Sequence, residues 1–372
     1  MTKKNETLEK NKSIFVAMSN QDPFLVTNIV SPEEKEIKNQ EFIAWGANND
    51  YPKYLLNLFM KTPVLNSLIN SAVDYTCGDD AVIAKTPFDQ KVNDKDETIN
   101  TLLRQIVYDY WIYGAFAVNV VRNKLGTIAG LYYVNVKNLR SDKKNERFWY
   151  SADWEKSYGR VKSVEYPKYD INSKAPSSIL YVKNNFNNVY GVPVYGAATI
   201  SAEILRCVDE YHLNNINNGF FASYIISFNN GQPTPEIQEE IEEELNEKFS
   251  GYENSGRIMC AFNKSKDNAV TVEKLDQGDN IGDRYKSLVE WAQQQLFTAF
   301  RCAPMLAGIM QDNNGFADED FKEAYKLFNR TVIRPTQRLI CDAFKAIFGE
   351  EVLTIKPFTI DWGDEGDDTN VK

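Results

Sequence analysis

The residue types that carry chemistry are sparse in this chain, and their spacing excludes most reactions. A single histidine, His212, stands among 372 residues. One imidazole cannot supply a His-rich zinc site or the two ligands of an HExxH helix. A Ser-His-Asp or Cys-His relay would have to be built around it, yet nothing nearby resembles a nucleophile elbow, and its helical surroundings suit a partly buried or surface side chain. No Gly-Lys dipeptide occurs, so the usual P-loop is missing. No two glycines stand at i and i+2, so the dinucleotide fingerprint is missing too. The cysteines Cys77, Cys207, Cys260, Cys302 and Cys341 never form a CxxC pair and read as small buried thiols of a reduced compartment.

The carboxylates divide into two groups. Asp361, Asp364, Glu365, Asp367 and Asp368 could hold a hard cation, but like charges in a Gly-rich end segment repel and stay hydrated, so they read as an acidic tail. Asp79, Asp80, Asp276, Asp279 and Asp283 would be the raw material of a metal-dependent nuclease, which needs several carboxylates converging on bound metal. Their spacing follows no recognisable pattern, and Asp79-Asp80 after Gly78 reads as a turn. No catalytic constellation survives. The expectation is a protein without enzymatic activity, cofactor or metal.

Bulk properties agree. The chain is 43% hydrophobic and 13% aromatic, ample for a packed core. A quarter of its residues are charged, an ordinary globular share. The net charge of -10 opposes tight DNA binding, which relies on Lys and Arg replacing phosphate counterions. The most apolar run, Trp111 to Val121, is too short to span a bilayer. The polar start Met1 to Glu6 has no secretory character, so a soluble, cytoplasmically synthesised protein is expected.

The elements that would position any site follow from periodicity and punctuation. Residues 1 to about 40 are polar and patchy, a flexible arm with short ordered pieces. Residues 42–54 are rich in turn formers and read as loop. Thr62-Pro63 opens a helix by capping, Val64, Leu65, Leu68, Ile69 and Val73 form its apolar stripe, and Gly78 ends it. A second helix runs from about Glu97 to Tyr113, with Leu102, Ile106, Tyr110 and Trp111 near one face, and Gly114 closes it. Residues 115–122 and 128–136 read as a hairpin, followed by strands near 148–150, 161–166 and 179–182. This first half is α+β, helices followed by antiparallel sheet.

After Tyr190-Gly191-Val192-Pro193-Val194-Tyr195-Gly196 the pattern turns helical. Residues 199–222 form a long helix with Ile200, Ile204, Val208 and Tyr211 on one face. Its end is Asn-rich (Asn214, Asn215, Asn217, Asn218), which suits contact with water or a neighbouring subunit. A small unit follows: a strand at 224–228, a Glu-rich helix at 235–249, and strands at 257–262 and 269–275. A second long helix covers 282–301, with Tyr285, Leu288, Val289, Ala292 and Leu296 as its buried face. Residues 306–317 form a loop. A third helix spans 318–348 with a kink at Arg334-Pro335, and a last strand lies within 352–360.

This order of parts resembles the portal proteins of tailed bacteriophages over roughly residues 42–360. Tyr190-Gly191-Val192-Pro193 looks like the family's Tyr-Gly-X-Pro entry into the first stem helix. Asn218-Gly219 looks like the Asn-Gly before the clip. Phe300-Arg301-Cys302-Ala303-Pro304 with Leu306-Ala307-Gly308 looks like the Phe-Gly-Val-Pro-Pro…Leu-Gly stretch closing the second stem helix, although Arg301 and Cys302 stand where Gly and Val are common.

The resemblance implies a portal fold: an α/β wing, two long stem helices, a small α/β clip, a tunnel loop with a long kinked helix, and a reduced crown. The corresponding divisions are a flexible arm at 1–41, wing at 42–195, stem helix at 196–223, clip at 224–275, stem helix at 276–302, tunnel loop at 303–318, returning helix at 319–350, and a strand with acidic tail at 351–372. It further implies a closed homo-oligomeric ring of twelve subunits at the capsid vertex, assembled in the host cytoplasm and retained in the virion, through which double-stranded viral DNA is packaged and ejected. The implied partners are the terminase large subunit, a head-tail adaptor and the major capsid protein, with no membrane. Gln311, Asp312, Asn313, Asn314 and Gly315 would face DNA in the tunnel loop, where short, mostly uncharged side chains touch phosphates weakly and yield. Glu239, Glu240, Glu243, Glu244 and Glu247 would form a charged docking face on the clip. An acidic channel would repel DNA weakly, over about 8 Å at physiological salt. Two other readings stand beside this one: another virion structural protein, such as an adaptor or minor capsid protein, and the metal-dependent nucleic-acid enzyme.

Overall fold

A computed structural model describes residues 14–17, 30, 32–38, 40–88, 91–154, 163–184, 188–217, 224–228, 234, 237, 258–262, 281–309 and 318–359. The chain divides into two compact units, one of residues 1–28 with 206–289, the other of residues 29–205 with 290–372.

The segment expected as a flexible arm with short ordered pieces supplies two short strands, β1 (Ile14–Ala17) and β2 (Glu34–Glu36). The stretch expected as loop is ordered as β3 (Ile43–Trp45), buried throughout, and α1 (Tyr51–Lys61). Pro52 sits in the first turn of α1, where a missing N–H costs no helical hydrogen bond. Helix α2 (Pro63–Cys77) begins and ends as expected, with Gly78 at φ +65°. Thr62 does not cap it: its hydroxyl donates instead to the Ala202 carbonyl, 3.3 Å away. Strand β4 (Asp80–Ile83) follows, so Asp80 opens a strand where a turn was expected. Helix α3 (Ile99–Tyr113) is capped by Thr98, whose side chain accepts from the Thr101 N–H, and is closed by left-handed Gly114. It buries one stripe, Ile99, Leu102, Leu103, Ile106 and Val107, and is buried all round only in its last turn, Asp109 to Tyr113.

Strands β5 (Ala115–Arg122) and β6 (Ile128–Val134) form the expected hairpin. Next come β7 (Leu139–Ser141), β8 (Arg147–Tyr150), β9 (Val164–Pro167) and β10 (Ser177–Lys183). The second half holds α4 (Thr199–Asn217), β11 (Tyr224–Phe228), β12 (Ile258–Phe262), α5 (Ile281–Phe300), α6 (Asp318–Phe328), α7 (Arg334–Phe348) and β13 (Leu353–Lys356).

In the larger unit, β10-β5-β6 and β7-β8-β9 form two antiparallel sheets, and β2 pairs with β3. Helix α3 packs against α2, α1 and β5 and forms the centre of the core. The last strand is not an isolated remnant: β13 pairs antiparallel with β4, Leu353 opposite Ile83. Asp80 fixes that pairing by accepting from Lys356 at 2.9 Å and Asn100 at 2.8 Å. Between α6 and α7 the chain forms one π turn, Asn329–Ile333, with the Arg334 N–H reaching the Asn329 carbonyl. Pro335 has no N–H to continue the α ladder, and the wider turn absorbs the mismatch.

In the smaller unit, β12 pairs parallel with β11 and antiparallel with β1. A parallel pair needs a crossover connection. The expected Glu-rich helix at 235–249 falls in that connection and, apart from the helical Ile237, lies outside the described residues, as does the strand expected at 269–275. The third strand of the sheet comes from the start of the chain, a partner that local pattern could not reveal.

Cys302 is buried, Cys77 and Cys341 are half-buried, and Cys207 is exposed, contrary to the expectation of buried thiols. Burial pushes the Cys77 and Cys302 thiols up to about 12, which keeps them protonated and unreactive.

Candidate functional site

Within the larger unit the Tyr190–Gly196 motif builds a junction that joins the start of α4 to the end of α5. Tyr190 lies flat on Trp45, centroids 4.4 Å apart at 3°. Its hydroxyl donates to the Ile43 carbonyl and accepts from the Ser141 N–H. The N–H groups of Val189 and Tyr190 donate to the Glu34 carboxylate at 3.0 and 2.9 Å. Gly191 then passes so close to Gly114 that a Cβ on it would lie 2.4 Å from the Gly114 carbonyl oxygen. Reciprocally, a Cβ on Gly114 would meet the Val192 carbonyl oxygen at 2.3 Å. Tyr195, fully buried, donates to the Ile112 carbonyl at 2.9 Å and stacks on Phe300, centroids 5.8 Å apart. Phe300 stacks on Trp111 at 6.0 Å. The residue entering α4 and the residue ending α5 therefore meet over the core of the larger unit.

In the smaller unit the same two helices meet again, through Tyr211 of α4 stacked on Tyr285 of α5 at 5.2 Å. His212 also touches the Tyr285 ring, at 5.9 Å, and is exposed. The expected buried faces need correction. On α4 the buried residues are Ser201, Ala202, Glu203, Leu205, Arg206 and Val208, while Ile200 is 54% exposed. On α5, Ala292 and Leu296 are buried as expected, but Leu288 is exposed and Trp291 is 50% exposed. Ile200 and Trp291 are thus large apolar side chains that face water. Trp291, a large aromatic lying off the expected apolar stripe, was the sequence signal for this surface.

Beyond α5 the backbone turns at Arg301, whose φ is +53°. The resemblance to the family placed a glycine here, and left-handed geometry favours one. Arg301→Gly is expected to be more stable than Arg301→Ala by about 1 kcal/mol, because both remove the guanidinium and only alanine keeps the backbone strain. Urea midpoints of the two variants measure it, and equal midpoints would refute it. The chain is then pinned to α2: Ser67 donates to the Ala307 carbonyl at 2.6 Å and Tyr75 to the Leu306 carbonyl at 2.9 Å. Gly308, left-handed, ends this short 3-10 turn. Gln311, Asp312, Asn313, Asn314 and Gly315 lie outside the described residues, as do Glu239, Glu240, Glu243, Glu244 and Glu247.

A cavity of about 350 Å³ opens beside the junction, lined by Tyr110, Trp111, Val194, Arg301, the π turn and the start of α7. Among the described residues no group of three or more His, Cys, Asp or Glu could hold a metal ion, and no helix is long and apolar enough to cross a membrane. Asp79 accepts from the Thr359 N–H at 3.2 Å, and Asp80 accepts from Lys356 of β13 at 2.9 Å. Asp276, Asp279, Asp361, Asp364, Glu365, Asp367 and Asp368 lie outside the described residues, and Asp283 is placed only as part of α5.

Residues 81–358 match the family model described as "Phage portal protein". The chain is 23% identical over 234 residues to the probable portal protein of Haemophilus phage HP1, covering 62% of this chain and 64% of that protein. It is likewise 23% identical over 309 residues to the uncharacterized protein YqbA of Bacillus subtilis, covering 68% of this chain and 58% of that one. The chain thus spans about six-tenths of the length of these curated relatives. Among solved structures it superposes on a chain from the neck of a native gene transfer agent particle computed with C12 symmetry, with TM-score 0.52, 16% identity, and 82% and 84% of the two chains covered. It also superposes on an HK97 family phage portal protein from Corynebacterium diphtheriae, with TM-score 0.50, 11% identity, and 81% and 93% covered.

Proposed function

The chain belongs to the phage portal protein family, a structural and non-enzymatic virion component, and from that membership we propose that twelve copies close into a ring at the capsid vertex. Such a ring is the closed heterologous case, in which one face of each subunit meets a different face of the next. The observation that carries the proposal is the exposure of Ile200 and Trp291 on helices otherwise anchored by the Tyr195–Phe300 stack. The C12 symmetry of the gene transfer agent neck supports the copy number.

In this reading residues 42–195 are the wing, 196–223 and 276–302 the stem, 224–275 the clip, 303–318 the tunnel loop and 319–350 the returning helix. Residues 353–356 join the wing through β4. The ring is the passage for viral DNA during packaging and ejection. Net charge -10 per chain suits a channel wall that does not grip a polyanion, since few counterions are released on contact. Gln311 to Gly315 touch the passing DNA, and the clip glutamates Glu239, Glu240, Glu243, Glu244 and Glu247 meet the terminase large subunit and later a head-tail adaptor, with the major capsid protein around the wing. The working location is the virion, after assembly in the host cytoplasm.

The native mass of the purified full chain tests this. Twelve times 42.6 kDa is about 511 kDa. A ring of that mass, with a central hole wide enough for duplex DNA in negative stain, is the expected result. Trp291→Lys should lower the ring fraction more than tenfold at fixed protein concentration while leaving the circular dichroism spectrum intact, because a buried aromatic anchor exchanged for a charge costs about 2 kcal/mol or more per interface. Monomers at all concentrations and salts, or rings indifferent to Trp291→Lys and Ile200→Lys, would count against it.

A further inference from the structure

Charge is sorted along α6, the π turn and α7. From Ala324 to Cys341 the chain carries Lys326, Arg330, Arg334 and Arg338 and no carboxylate, although its net charge is -10. Glu319 and Glu323 come just before this stretch. All six charged residues are exposed, and among the described residues none of them forms an ion pair. Like charges four residues apart repel across a helical turn, so the row does not serve the helix that carries it.

The six positions share one stripe. Glu319, Glu323, Lys326 and Arg330 follow steps of four, three and four, the spacing of a single helical face. Arg334 and Arg338 come at further steps of four, which in a regular α-helix would carry them around the axis. The π turn Asn329–Ile333 lies in between, and it holds one residue more than an α turn. The step from Arg330 to Arg334 therefore advances the chain as three residues would, and the pattern continues as three and four. The stripe runs about 28 Å along the axis. Its opposite face is already committed. Phe328, Val332, Ile333, Thr336 and Ile340 are buried, and Gln337 donates to the Thr76 carbonyl of α2 at 3.0 Å. The charged stripe is thereby held facing outward.

A polyanion would suit the four cations alone, but Glu319 and Glu323 on the same stripe would repel it, since charges act over about 8 Å at physiological salt. A second copy of the chain brings both signs. We propose that the stripe is a contact between copies, in which Glu319 and Glu323 of one copy face Arg334 and Arg338 of the next. Arginine suits the role, because its planar fork matches a carboxylate. The contact is heterologous, with the acidic end of one stripe on the basic end of another, so each copy uses both ends and the contact propagates. The inference rests on the ring reading and adds to it where charge sets the register between neighbours.

The native mass of the full-length chain, at fixed concentration and physiological salt, reads the contact. Arg334→Glu with Arg338→Glu should lower the ring fraction at least tenfold, and so should Glu319→Lys with Glu323→Lys. The chain carrying all four substitutions again has opposite signs across the contact, and its ring fraction should return to within threefold of the native value. Loss of folding could not produce that rescue. Rings indifferent to both reversals, or a combined variant no better than either pair, would overturn the assignment. So would reversals that spare the rings but abolish retention on heparin, which would give the row to a polyanion. A native chain that stays monomeric overturns the ring reading and this contact with it, whereas a native ring that ignores these charges overturns this contact alone.

Discussion

Alanine at Gly114 is expected to destabilise the larger unit by roughly 3 kcal/mol, combining about 1 kcal/mol for a non-glycine residue in left-handed geometry with ~1–3 kcal/mol for overpacking. The geometry allows little relief, because the new Cβ would lie 2.3 Å from a backbone oxygen, that of Val192. Backbone cannot swing aside as a side-chain tip can. Gly191→Ala meets the same wall from the other side, 2.4 Å from the Gly114 oxygen, and should cost about 2 kcal/mol through overpacking alone. Gly126 is the internal control. It has φ +83° but nothing within 4 Å of its ideal Cβ, so Gly126→Ala should lose only about 1 kcal/mol. Urea unfolding of the three variants separates the terms. If Gly114→Ala proved as mild as Gly126→Ala, the close passage of the two backbones would not be a constraint. The close passage also fixes the chain just before α4 begins.

The second large effect is a pH dependence centred on Asp109. Its carboxylate, 3% exposed on α3, accepts from the Tyr133 hydroxyl at 2.9 Å and the Val136 N–H at 2.8 Å. Both donors favour the ionised form, yet burial outweighs them and pushes the carboxyl up from 3.8 to about 7. A raised acid destabilises the fold as pH rises. Below about 4 the group is protonated in both states. Between about 4 and about 7 the unfolded chain has released its proton and the folded chain keeps it, so stability falls through that window. Above 7 both are ionised and the loss is complete, roughly 4 kcal/mol at most. Asp109→Asn keeps an acceptor for Val136 and never ionises. Its advantage over the native chain should grow by about 2–4 kcal/mol from pH 4 to pH 8. Thermal unfolding of both proteins across that range measures the difference, and parallel pH profiles would show that Asp109 is already ionised in the fold.

Arg140 shows the opposite way of burying a charge. It is 2% exposed, and burial lowers its guanidinium to about 10. It remains tolerable because its donors reach the carbonyls of Asn49, Lys137 and Leu139 at 2.8–2.9 Å, which meets the requirement that a buried ion be fully hydrogen-bonded. Asp109 has only two donors and titrates; Arg140 is held by a ring of carbonyls and stays charged.

What this chain's sequence determined alone is what short-range physics controls. Pro63 at a helix start, Gly114 as a helix stop and Pro335 as a break in the α ladder act within a few residues of themselves, and each was legible there. The order of Tyr190-Gly191-Val192-Pro193, two long helices and Phe300 to Pro304 carried the family for the same reason: each motif is a local solution to a turn. Partnership over long separations was decided only in three dimensions. β1 joining β12, β13 joining β4, Thr62 leaving its own helix for Ala202 and Asp109 ending buried among tyrosines all depend on which surfaces meet. So does the uncovering of Ile200 and Trp291. Helical spacing marks which residues share a face; it does not say which of two apolar faces the rest of the molecule will cover.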